Sequence, residues 1–531
     1  MIEVRPAADG SPPSPPADAV APATPTAPGT GRSLVARNIS LLSLGQLVTW
    51  AGTLVWTVIV PRRLGSSEIG ILTLGTAVSG ILGVVVGLGL PPLLVREIAA
   101  DPRRAPRLVG TAIVLRAVLL APALAGTLLL AFLGPFRGEE AVALILGWGL
   151  CATAVVSSPV AAGLQAMEKM NYLAYGAILS GTLGTVSGIV MVLVGIRAIG
   201  LLLSSVVIGA LFTGVFLLWA RPFFHIDWRV SWGDLRQLMI DSLPYWSFAA
   251  FFTIYLWIDS LMLGFMTSST VLGWYGLPTR LFSTLMAVPV ILSNATLPRL
   301  VRAHKRGDED LLRTARPVME MVVLLSMPIC VGSVLVASPL LRAIYGPGFA
   351  GSIPVFALLA LCVPPMYLNI MANQIMIARK QQMVWTKMMV LASVINPLMN
   401  LFLIPYFQRT QGNGAIGASV AMVITEVVLA VIGLWLVRGA YVRKSAVRMF
   451  KGAIATAVMG IIVVLALRVG LLLGVVAGMA SFAAAALLLR LATDDELEQG
   501  KLLLVGVAGS LGLAALRASH RARRKATTPR D

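Results

Sequence analysis

Four ionisable residues lie inside long apolar runs, where a charge is unfavourable to keep and so marks a candidate site. Arg280 stands about ten residues into the run that begins near position 270, roughly 15 Å deep at the rise of an α-helix. A guanidinium there either grips an anion, since its planar fork of donors suits a phosphate, or is held by an internal ion pair with a carboxylate. Arg116 is a weaker candidate of the same kind, for which packing or snorkelling is the alternative. Asp259 and Glu426 are the acids of the set. They either take up a coupling proton or cation or neutralise the arginines. Glu320 and Asp241 sit nearer the ends of their runs and read as helix-end residues. Arg62 and Arg63 close the first apolar run, as a cationic rim or as plain helix termination. On that run Asn38 and Gln46, with Trp50, form a polar edge that could face a cavity.

Other chemistry is poorly provided for. Cys151, Cys330 and Cys362 all lie in apolar runs and form no C-x-x-C pair. His225, His304 and His520 are far apart in basic segments, so no metal site and no cofactor is expected. No P-loop is present, which excludes an ATP-driven pump on this chain. A membrane glycosyltransferase, polymerase or ligase would need an outer loop with catalytic groups. The longest outer connection, "PLLRAIYGPGFAGS", offers one arginine and no carboxylate. The chain is read as a non-enzyme with no catalytic residue.

The elements that must position these residues are helices. Of 531 residues 57% are hydrophobic and 12% charged, against about 25% charged in an average soluble domain. The charges cluster between apolar runs of about 18 to 25 residues, each long enough to cross a bilayer. Fourteen such runs are expected, at 39–61, 69–94, 108–133, 141–163, 172–195, 198–219, 241–264, 270–298, 317–338, 353–376, 384–404, 414–437, 452–468 and 471–490. The fold class is therefore all-α, polytopic, with about 14 transmembrane helices. Residues 1–33 read as a disordered Pro/Ala-rich tail. In 492–531 a basic tail surrounds the short apolar segment 501–517, read as interfacial.

Loop charge orients the helices. With the amino terminus inside, the inner loops and the first turn of span eleven carry 22 basic residues and the outer loops carry 7. That asymmetry places both termini in the cytoplasm. It also accounts for the net charge of +19 through anionic membrane lipid rather than nucleic acid.

The chain repeats itself. "PPLLVREIAA" closes the second run and "LPRLVRAHKR" the eighth; "SSEIG" opens the second and "SSTVLG" the eighth; "AIG" opens both the sixth and the twelfth. Spans one to six thus match spans seven to twelve in the same orientation, a parallel repeat about the membrane normal. The expected domains are an N-lobe (34–221), a C-lobe (236–438) and a C-terminal helix pair (451–491). Two such bundles can rock about a site between them. Gly83 and Gly87 form a G-x-x-x-G, a motif for close helix contact.

The segment from "LPYWSFAAFF" through "LWIDSLMLGF" to "NATLPRLVR", with Pro244, Asp259, Gly273, Tyr275 and Pro298, resembles the seventh and eighth helices of the polysaccharide and O-antigen flippases. These belong to the MATE-like multidrug/oligosaccharidyl-lipid/polysaccharide exporter superfamily. "RNISLLSLGQLVTW" resembles their first helix, and "NPLMNLFLIPYF" with "GAIGASVAMVITE" their eleventh and twelfth. The resemblance implies translocation of a polyprenyl-pyrophosphate-linked oligosaccharide to the outer leaflet by alternating access, in a bacterial plasma membrane. Arg280, Arg62, Arg63, Arg116, Asn38 and Gln46 would then face the substrate, and Asp259 and Glu426 a proton or sodium ion. It implies membrane lipids and a polysaccharide polymerase or glycosyltransferases as partners. A cation-coupled drug exporter and a lipid II flippase are the related alternatives. Drug-exporting relatives often carry a carboxylate in the first helix, where this chain has only Asn38 and Gln46.

Overall fold

The computed structural model describes residues 52, 55–438 and 443–491. The start of the first expected span, with Asn38 and Gln46, lies outside the described residues, as do the two tails.

The described residues form helices joined by short connections: α1 (55–64), α2 (Ser66–Gly87), α3 (Leu90–Ala100), α4 (Ala105–Leu133), α5 (Glu139–Ala166), α6 (Met170–Leu193), α7 (Ala198–Ala220), α8 (Trp232–Met266), α9 (Ser269–Leu285), α10 (Ala287–His304), α11 (Asp308–Tyr345), α12 (Ser352–Leu361), α13 (Val363–Ala378), α14 (Gln382–Gln411), α15 (Gly414–Leu436), α16 (Arg443–Leu467) and α17 (Leu471–Leu488). Twelve of these stretches are long and apolar enough to cross a membrane, and α12 with α13 makes a thirteenth. They match the second to fourteenth expected spans.

Three spans are broken where a continuous helix was expected, and proline or a left-handed residue stands at each break. Between α2 and α3, Leu88 (φ 48°) and Gly89 (φ 62°) both adopt the left-handed conformation, and Pro91 and Pro92 then open α3. Gly89 tolerates that φ because it has no Cβ, and the proline ring disfavours helix in the residue before it. α9 passes to α10 at Met286, three residues before Pro289. α12 and α13 are bent by 41° at Cys362, just ahead of Pro364 and Pro365. Where prolines fall inside α4, α5 and α8 the helices continue, so proline alone did not set the breaks.

The three largest apolar cores hold most of the described helices. One lies in the first half, around Leu90, Leu94, Ile98, Val109, Ile113 and Leu164. A larger one lies mostly in the second half, around Met319, Val355, Tyr367, Met371 and Ile375, and takes in Leu74, Val78 and Leu144 of the first. The third joins the halves: Val60, Ile69, Leu72 and Leu202 meet Leu277, Ala337 and Phe356. Outward-facing Leu129, Phe132, Leu211, Phe402, Val431 and Leu472 are exposed. Such an apolar belt would drive aggregation in water and is the expected surface in hydrocarbon.

Glu320 departs from its expected place at a helix end. α11 extends to Asp308, so Glu320 lies about three turns inside it. Its carboxylate pairs with Arg448 at 2.8 Å and accepts from Ser445, while Arg448 Nε donates to the Leu491 carbonyl at 2.8 Å. These bonds fasten α16 and α17 to α11. Asp241 accepts from Gln237, one turn earlier on α8.

Candidate functional site

The seam between the halves is built from small residues. α2 crosses α9 so closely that a Cβ on Gly70 would stand 1.7 Å from the Ser269 carbonyl oxygen. A Cβ on Gly273 would stand 1.8 Å from that of Ser66. The two glycines are equivalent in the repeat, so the contact is reciprocal. Beside it the hydroxyls of Ser67 and Ser269 lie 3.2 Å apart, and Gly276 faces Thr73. By contrast Gly83 and Gly87, the G-x-x-x-G of the sequence, have no neighbour at their Cβ positions among the described residues.

Arg280 follows on the same face of α9. Residues 273, 276 and 280 are spaced three and four apart, one stripe of a helix. The guanidinium lies 4.4 Å from the centre of the Trp56 ring, on α1 of the other half. This is a cation–π contact of good geometry. Trp56 is in turn backed by Gly188 of α6. Tyr345 is an electrostatic neighbour, and its buried hydroxyl has no hydrogen-bond partner among the described residues. Among the described residues no carboxylate pairs with Arg280. No ion pair holds it among the described residues, and a partly buried cation faces the seam. In the repeat the matching residue of α2 is Ala77, by the offset that relates Gly70 to Gly273. The charge is one-sided.

Arg116 is placed elsewhere. It is buried at 3% exposure, with Nε and Nη1 lacking a hydrogen-bond partner among the described residues, between α4 and α5 beside Cys151. It does not snorkel, and the structure does not bring it to Arg280. Arg62 and Arg63 are exposed at the end of α1.

The two acids share a second site, inside the second half. Asp259 accepts from Tyr275 Oη at 2.7 Å and from Asn400 Nδ2 at 2.6 Å. Asn400 also donates to Asn396 Oδ1 at 3.0 Å. Glu426 accepts from Tyr255 Oη at 2.5 Å and Asn369 Nδ2 at 2.7 Å. Tyr255 and Asp259 are one turn apart on α8, so the two groups adjoin. Both carboxylates are buried, and neither pairs with an arginine among the described residues. The reading of these acids as counter-charges to the arginines is not what the structure holds. Oδ1 of Asn369 and Oδ1 of Asn400 are buried without partners among the described residues. The site is therefore rich in oxygen and incompletely satisfied.

On the side with the basic loops, α8 closes against the first half. Trp246 Nε1 donates to the Val84 carbonyl at 3.0 Å, and Arg96 Nη1 donates to Tyr245 Oη at 2.7 Å. Arg107 Nη2 reaches both oxygens of Asp234 at 2.9 Å. Asp234 also completes a capping box with Ser231 at the start of α8. The Arg107 guanidinium, with Ser231, pulls the Asp234 carboxyl down to about 2.

Trp56, Tyr345, Tyr255, Asn369, Asn396 and Asn400 were not singled out from sequence, and Tyr275 was noted only as part of a turn motif. The spacing of four in Tyr255/Asp259 and Asn396/Asn400 was the available signal.

With this geometry in place, relatedness can be assessed. The family model described as polysaccharide biosynthesis protein matches residues 35–304. The chain belongs to that family. The match covers the whole first half and continues through α8, α9 and α10, so it includes both sides of the glycine crossing and Arg280. Among curated proteins, the probable flippase AglR of Haloferax volcanii is 26% identical over 413 residues, 73% of this chain and 80% of the relative. Among solved structures, the lipid II flippase MurJ in an inward closed conformation superposes with a TM-score of 0.68 at 13% identity, covering 85% of this chain and 99% of that one. An inward-facing multidrug transporter of the MATE family gives 0.57 at 16% identity, covering 76% and 97%. At these identities the two structures speak to the fold alone: that of a multi-pass helical membrane protein.

Proposed function

We propose that this protein is a flippase that carries a lipid-linked oligosaccharide, with a polyprenyl-pyrophosphate anchor, from the cytoplasmic to the outer leaflet for surface polysaccharide assembly. Family membership and the likeness to a probable flippase support the reading. The observation that carries the substrate's charge is Arg280. A guanidinium at the seam, lying on Trp56 and free of carboxylates among the described residues, is a receptor for an anion. A site for cationic drugs would place negative charge there.

In this reading the protein transports and does not catalyse. It lies in a bacterial plasma membrane with both termini cytoplasmic, beside the enzymes that build or polymerise the glycan. The seam opens alternately at its two ends. The glycine crossing of α2 on α9 closes the outer end, and the Arg107–Asp234 and Arg96–Tyr245 contacts close the inner end. Asp259 and Glu426 hold the coupling proton or sodium ion: two buried acids on α8 and α15, held only by neutral donors, gain most from an added positive charge. Arg116 joins the substrate path in another conformation, since a buried guanidinium with two unmet donors is poorly satisfied here.

The test is flipping of a fluorescent polyprenyl-pyrophosphate oligosaccharide in proteoliposomes. Arg280→Ala should slow it by about 10- to 100-fold, the range for one charged hydrogen bond, and Arg280→Lys should retain part of it. Undiminished flipping in Arg280→Ala would remove the anion site. Absence of flipping by the wild type, with drug efflux present, would move the function to the exporters.

A further inference from the structure

The fastening of the C-terminal helix pair leaves a wedge. α16 and α17 pack on each other and on α11, while α13 and α15 form a second wall alongside. Between these walls lies an open hollow of about 340 Å³, lined by Val323, Leu368, Leu434, Met449 and Arg438. Four of the five lining residues are apolar, and the hollow lies where α15 ends.

The basic residues around it divide clearly. Arg379 is held by Asp308 at 2.6 Å and by the Leu436 carbonyl. Arg448 is held by Glu320, and Lys451 reaches the Leu489 carbonyl at 3.4 Å. Arg438 has no carboxylate partner among the described residues. Its guanidinium lies 5.7 Å from the centre of the Trp435 ring, and that tryptophan is 64% exposed. An exposed tryptophan beside an arginine at a helix end is the signature of the headgroup level. An apolar hollow below it and a free cation at its mouth match the two parts of an anionic lipid.

We propose that this wedge binds one anionic membrane phospholipid, with an acyl chain against Val323, Leu368, Leu434 and Met449 and the phosphate on Arg438. The lipid completes the joint between the helix pair and the second half. The site is separate from the seam and does not depend on what the seam transports.

The test uses the full-length protein in detergent, with bound lipid counted by native mass spectrometry after addition of phosphatidylglycerol or phosphatidylcholine. Wild type should retain phosphatidylglycerol about fivefold more, the effect of one basic group at an anionic headgroup. Arg438→Gln, a change at an exposed position, should abolish that preference and leave phosphatidylcholine retention unaltered. Leu368→Trp, which fills the hollow, should reduce both. Equal retention of the two lipids by wild type, or an unaltered preference in Arg438→Gln, overturns the proposal. So does displacement of bound phosphatidylglycerol by undecaprenyl phosphate at equal concentration, which would give the wedge to a polyprenyl chain.

Discussion

Asp259 and Glu426 show how far a residue's type can lead and where its surroundings must take over. From sequence each was either a counter-charge or an ion site. Only the placement of Tyr255, Tyr275, Asn369 and Asn400 around them, with no arginine among these partners, separates the two. Those partners come from α8, α9, α13 and α14, whose juxtaposition no local pattern encodes. Asp259→Asn and Glu426→Gln preserve the shape of each site but remove the charge. In proteoliposomes each should abolish the response of flipping to an imposed proton or sodium gradient while exchange without a gradient continues. A variant that keeps its gradient response clears that acid of the coupling role. Arg280 was easier to find, because an arginine deep in an apolar run is conspicuous. Its tryptophan partner was not, since Trp56 belongs to a helix more than two hundred residues away.

At the scale of elements, the two ends of the seam use different physics. The outer end depends on the absence of side chains. Gly70→Ala would drive a methyl into the Ser269 carbonyl and force α2 from α9, at about 1–3 kcal/mol for overpacking. The closed outer state should be lost, with a cysteine placed near the crossing labelled more readily from outside. The inner end depends on charge. Asp234 titrates well below its usual range because Arg107 favours its ionised form. Its contribution is therefore present above the carboxyl's ordinary value and fades only as pH falls toward about 2. Between pH 5 and 8 the inner contact should not respond to pH, whereas Asp234→Asn should raise labelling of the inner seam at every pH in that window. The glycines were legible as the repeat "SSEIG"/"SSTVLG", though not as a contact: repetition reveals equivalence, and only packing reveals touch. The breaks at Leu88 and Met286 escaped because hydropathy is continuous across them.

For the whole molecule, the spans were the most legible feature, the second to fourteenth expected runs reappearing as helical stretches among the described residues, since bilayer thickness acts on sequence directly. The expected orientation is open to a plain measurement. The native cysteines are all buried, so an impermeant thiol reagent applied to intact cells should label Arg137→Cys and spare Lys169→Cys. The reverse pattern would invert the protein and exchange its two gates. The C-terminal pair is held at its fastening by Glu320, and Glu320→Ala removes the carboxylate that pairs with Arg448, whose side chain is only 17% exposed. Loss of one partner of a buried pair costs about 3–5 kcal/mol, so thermal unfolding should occur at lower temperature, beginning with α16 and α17. The reciprocal glycine contact carries a different kind of consequence. Gly70 and Gly273 guard the same crossing, so once one methyl has pried it apart the second finds room already made. The double variant should be little worse than either single one. In a lineage, the first of these glycines to be lost would release the other from selection, and the two would be expected to disappear together.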